Sequence, residues 1–117
     1  MNSRQFFRKV AQLRHFQVEW FYKRDKKALV VAKRLEKEID DEIERLKVSP
    51  DNRQQGAWDF ANLVKDMRSA QRNWFAGHSR MAYDSSKYYE AQVDQQVRIG
   101  NEMMAREKPT QLDLFNQ

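Results

Sequence analysis

Apolar residues recur along the first part of this chain in alternating steps of four and three. Phe6, Val10, Leu13, Gln17 and Trp20 follow that spacing, the signature of a helix buried along one stripe. A second row, Phe7, Val18 and Phe21, widens the face. The register slips after Arg24 and resumes at Ala28, Val31/Ala32, Leu35, Ile39, Ile43 and Leu46. No glycine or proline interrupts the run from Ser3 to Lys47. The pattern predicts one helix over residues 3–47, roughly 65–70 Å long at 1.5 Å per residue. A turn is expected over 48–52, where Ser49-Pro50-Asp51 supplies a capping hydroxyl, a first-turn proline and an acid for the positive helix end. A second helix is expected over 53–107, with an alternative start near Ala57. Phe60, Met67, Trp74, Met81 and Tyr88 fall on one seven-residue line. The companion line of Val64, Gln71, His78, Ser85 and Gln92 is mostly polar. Gly77 costs about 1 kcal/mol against alanine inside a helix, yet the repeat crosses it in phase, as a packing notch beside Ala70 and Ala91 would.

These elements predict an all-α fold: a long antiparallel, coiled-coil-like helical hairpin over 1–108 and a flexible tail over 109–117. Pairing about the Ser49 turn sets Trp20 opposite Arg80–Met81 and Phe6 opposite Val93–Asp94. One seam cannot hide Phe6, Phe7, Phe16, Trp20, Phe21, Trp74, Phe75, Tyr88 and Tyr89, so the hairpin is expected to pair with a second copy as a homodimer, or with a partner, into a bundle of four helices; otherwise the surplus forms an exposed docking surface. The alternative breaks the second helix near Gly77 or at Asp84-Ser85-Ser86 and gives a three-helix bundle.

Composition sharpens this picture. The 117 residues are one domain's worth of chain, and three glycines and two prolines are too few for the turns of a sheet protein. The absence of cysteine excludes disulfides, a thiol nucleophile and thiolate metal sites. No signal peptide and no apolar run approaching a membrane span is visible, so the cytoplasm is the expected compartment. The net charge of +5 is uneven: residues 1–34 hold ten Lys/Arg against Glu19 and Asp25, whereas 35–51 hold seven acids against three bases. Directed electrostatics of this kind nominate Arg4, Arg8, Lys9, Arg14, Lys23, Arg24, Lys26 and Lys27, interleaved with aromatics, as contacts for nonspecific DNA binding. The same charges also suit a solvated helical face.

Residues for catalysis are missing from the pattern. His15 and His78 lack a carboxylate at helical metal-site spacing. Asp40-Asp41-Glu42 and Glu44 point in several directions on a helix, and Ser85-Ser86 has no histidine near it in sequence to activate it. The expectation is a non-enzymatic binding protein with no metal and no cofactor.

Pro109 should stop the second helix, leaving Thr110 to Gln117 with three large apolar residues among five. Gln111-Leu112-Asp113-Leu114-Phe115 resembles the pentapeptide by which many bacterial proteins bind the replicative sliding clamp, the ring-shaped processivity subunit of DNA polymerase III. That motif is written Gln-Leu-(Ser or Asp)-Leu-Phe, and all five positions match. The resemblance implies that Leu114 and Phe115 fill a hydrophobic pocket of the clamp. It also implies that Gln111 hydrogen-bonds in a neighbouring subsite while Leu112 packs between them. It points to a bacterial or phage adaptor or regulator linked to replication or repair. Another reading folds Leu112, Leu114 and Phe115 back onto the helices as a latch, in a self-assembling or DNA-coating protein.

Overall fold

A computed structural model describes the backbone of residues 1–48 and 57–115 and the side chains of 1–48 and 59–106. The expected Ser49-Pro50-Asp51 turn lies outside the described residues. The chain is all-α, with helices α1 (Ser3–Lys23), α2 (Lys26–Leu46), α3 (Ala57–Gly77) and α4 (Arg80–Phe115). No strand occurs among the described residues.

Each of the two long helices predicted from periodicity is interrupted once, and both interruptions are built alike. Arg24 takes a left-handed conformation (φ 54°, ψ 34°), and its N–H donates to the Trp20 carbonyl at 2.9 Å. Asp25 then caps α2 by accepting the Lys27 N–H at 2.9 Å. In the second half His78 is left-handed (φ 52°) and donates to the Trp74 carbonyl at 2.8 Å. Ser79 Oγ accepts the Ala82 N–H at 3.1 Å. A left-handed non-glycine residue costs roughly 1–2 kcal/mol, which the packing of each hairpin offsets. The reversals explain why the seven-residue line through α3 does not continue: Met67 is buried, but Met81 and Tyr88 are 79% and 60% exposed. The helix restarts at Arg80 in a new direction.

Neighbouring helices run antiparallel around a four-helix bundle in which α1 touches α2 and α4, and α3 touches α2 and α4. Cross-helix pairs fix the registers: Lys9 with Glu38 at 2.6 Å, Arg14 with Asp94 at 2.7 Å and Arg68 with Asp40 at 2.9 Å. Arg14, not Phe6, therefore stands opposite Asp94. Four helices, expected from two copies of one hairpin, are supplied here by two successive hairpins of a single chain.

Those hairpins are repeats of each other at an offset of 54 residues (Arg14 to Arg68). Helix α1 maps onto α3 end to end, Arg24 onto His78, Asp25 onto Ser79, and the start of α2 onto the start of α4. Identical residues stand at Phe6/Phe60, Val10/Val64, Arg14/Arg68, Gln17/Gln71, Trp20/Trp74, Phe21/Phe75, Ala28/Ala82, Lys33/Lys87, Glu36/Glu90 and Asp40/Asp94. Their contacts are reciprocal, so a pseudo-twofold axis runs along the bundle. Phe6 meets Phe60 edge-to-face, with ring centroids 6.1 Å apart. Val10, Leu13, Leu35, Ile39, Val64, Met67 and Val93 are fully buried around the axis, each contributing roughly 1.5–3 kcal/mol.

Candidate functional site

Beyond this apolar core, toward the two turns, the interior becomes polar. Gln17 and Gln71 face each other across the pseudo-axis and exchange amide hydrogen bonds, at 3.2 Å from Gln17 and 3.1 Å from Gln71. Gln17 also donates to Glu36 at 3.2 Å, and Gln71 to Glu90 at 2.7 Å. Arg68 donates to Gln71 at 2.6 Å and grips Asp40 through two nitrogens, at 2.9 and 3.0 Å. Arg14 does the same to Gln17 at 2.7 Å and to Asp94 at 2.7 and 3.0 Å. Every helix thus contributes to one layer, and among the described residues no buried side-chain polar atom lacks a partner. Burial works against the charge on Arg14, but the Asp94 bond and the carboxylates of Glu90 and Asp94 outweigh it. Its pKa is held above the ordinary value.

Between this layer and the turns lies a chamber of about 730 Å³, lined by both hairpins. Trp20, Phe21, Trp74, Phe75 and Tyr83 form its walls, and Gln17, Gln71, Glu36, Glu90 and Ser86 its floor. The Lys87 ammonium sits 4.3 Å from the centroid of the Phe21 ring, and Lys33 sits 4.9 Å from that of Phe75. The Arg24 guanidinium lies 5.6 Å from the Trp20 ring. The lining offers π-faces, hydrogen-bond acceptors and movable cations, the equipment of a binding site. Among the described residues, no group of three or more His, Cys, Asp or Glu is arranged to hold a metal ion, and no helix is long and apolar enough to cross a membrane.

The structure separates the cations that the sequence nominates together for DNA. Arg14 is locked in the polar layer, with its side chain 11% exposed. Lys9 pairs with Glu38. Arg4, Arg8 and Lys9 belong to the first turns of α1. Lys23, Arg24, Lys26 and Lys27 gather at the α1–α2 turn, close to the chamber, with Lys23 paired to Glu19 at 3.0 Å. The side chains of Gln111, Leu112, Asp113, Leu114 and Phe115 lie outside the described residues. The backbone of α4 is helical through Pro109 to Phe115, so α4 has 36 residues against 21 in each other helix. Its extra length leaves the bundle at the end remote from the turns.

Sequence reasoning missed the chamber and its floor. The signal that finds them is the 54-residue self-similarity (Trp20 to Trp74), which a search for seven-residue periods passes over. No protein-family model matches the chain, nor does any curated protein or solved structure.

Proposed function

We propose that this protein is a non-catalytic adaptor that docks on the bacterial replicative sliding clamp through Gln111 to Phe115, in replication or repair or in the service of a phage or mobile element. The observation that carries this reading is the full pentapeptide match at the end of a helix that outruns its bundle. Pro109 supports it physically. Proline has no N–H to donate to the carbonyl four residues earlier and its ring crowds that carbonyl, so the helix is weakened where its last turns begin. A helical segment that short is marginal alone, and it can unwind to present Leu114 and Phe115 as anchors.

A single peptide with two apolar anchors and one amide gives an affinity of order micromolar, about 8 kcal/mol. The test is titration of the clamp with the full chain and with Leu114→Ala/Phe115→Ala. The parent should bind, the double variant should not, and helical content should be equal in both. Asp113→Ser should bind like the parent, because the motif accepts either residue, and a peptide of residues 109–117 should compete. Unchanged clamp binding by the double variant, or loss of helix in it, overturns the proposal. The second result would mean that the tail is a latch.

A further inference from the structure

One half of the bundle interior is filled and the other is not. Protein interiors normally pack as densely as organic crystals, yet beyond the polar layer no large apolar side chain among the described residues is fully buried. Trp20, Leu29, Trp74 and Tyr83 are only partly covered, while Phe21 and Phe75 are 45% and 60% exposed. The repeat makes this emptiness informative. Phe6/Phe60 and Val10/Val64 are explained by the core, and Arg14/Arg68 and Gln17/Gln71 by the polar layer. Phe21/Phe75 serve neither the apolar core nor the Gln–Arg network, while Lys33/Lys87 reach only its edge, pairing with Glu36 at 3.2 Å and Glu90 at 3.3 Å; both halves keep all four.

We propose that the chamber binds single-stranded nucleic acid, with bases entering between the hairpins to stack on Trp20, Phe21, Trp74 and Phe75, and phosphates held at the mouth. The chemistry is layered in the order a nucleotide requires. Aromatic walls accept any base, because every base has a π-face. The carboxylates of Glu36 and Glu90 and the amides of Gln17 and Gln71 lie at the floor, where they can accept from the N–H groups of base edges. The mouth is cationic: Lys33 and Lys87 are part of the lining, and Lys23, Arg24, Lys26 and Lys27 crowd the adjacent turn. The Lys33 and Lys87 side chains are 57% and 42% exposed, each between a ring face and a floor carboxylate, so each can exchange that carboxylate for a phosphate as a base takes its place on the ring. A duplex keeps its bases stacked inside and cannot offer them to the walls. This site is independent of the clamp peptide, which leaves the molecule at the other end.

The experiment is fluorescence anisotropy of the full chain with a labelled oligothymidylate of about 16 nucleotides, the upper range for one small domain, against a duplex of the same length and a thymidine mononucleotide. Saturable binding to the single strand is expected, at least about tenfold tighter than to the duplex, with quenching of tryptophan fluorescence and steep weakening by salt. Phe21→Ala with Phe75→Ala should weaken binding by about tenfold or more without loss of helix. Lys33→Gln with Lys87→Gln should weaken it and flatten the salt dependence. Leu114→Ala/Phe115→Ala should bind the strand like the parent, which keeps this test separate from that of the clamp. No binding at low salt, equal affinity for the duplex, or parental affinity in the Phe21/Phe75 variant would overturn the proposal. Competition by the mononucleotide as strong as by the strand would also overturn it, by making the chamber a nucleotide pocket.

Discussion

Arg68 shows most plainly how single residues hold this fold. Its side chain is 7% exposed and serves Glu36, Asp40 and Gln71 at once. Removing one partner from a buried charge network strands the others without counter-charge, at about 3–5 kcal/mol. Arg68→Met should therefore lower the urea midpoint strongly, whereas Arg80→Met, at an 87% exposed ion pair with Asp84, should leave it almost unchanged. Glu42 is a second such residue. A hydrogen bond from Arg45, then one from the Met1 amine, holds its carboxyl below the ordinary value of 4.5, against the opposing effect of burial. A carboxyl depressed in the folded state adds stability that is complete above its unfolded pKa and lost as pH falls through the folded one. Acid unfolding followed by circular dichroism should show this loss below about pH 4.5, and Glu42→Gln should make the acid limb shallower.

At the scale of elements, two glycines make opposite statements. Gly77 ends α3 with nothing within 4 Å of where a Cβ would be, so Gly77→Ala should stabilise by about 0.5–1 kcal/mol. Gly100 lies where α4 crosses α1, and a Cβ there would collide with the Phe7 ring. Gly100→Ala should cost about 1–3 kcal/mol, and thermal melts of the two variants should move in opposite directions. The packing-notch role that the sequence suggests for Gly77 thus belongs to Gly100. Helical character and the register slip after Arg24 were legible, because periodicity reports burial on one face. The reversal at Arg24 was not, because its left-handed residue is not a glycine and only the cap Asp25 marks it; the second falls beside Gly77, where the alternative reading placed a break, although His78 is the residue that turns left-handed. The polar layer was legible only as isolated interruptions, Gln17 and Gln71, whose pairing with each other appears once the hairpins are set side by side.

For the whole molecule, the placement of features is the informative part. The turn end carries the chamber and a crowd of cations, while the acid-rich C-terminal half of α2 and the outgoing end of α4 lie at the other pole. A protein tethered by its tail would hold the chamber roughly a bundle's length from the tether, about 30 Å for helices of 21 residues. Under the proposed clamp reading, the repeat also bears on valency. Two separate copies of one hairpin would bring two tails to each bundle and could grip both pockets of a dimeric ring at once. Two hairpins fused in one chain bring a single tail. On the proposed clamp reading each bundle is a monovalent client, and calorimetry should find independent sites with an affinity within a few-fold of the isolated 109–117 peptide. An excess of about a hundredfold or more would instead signal two tails acting together. On that reading, monovalence would leave the second pocket of the ring open, and a polymerase or repair enzyme could share the clamp without being displaced.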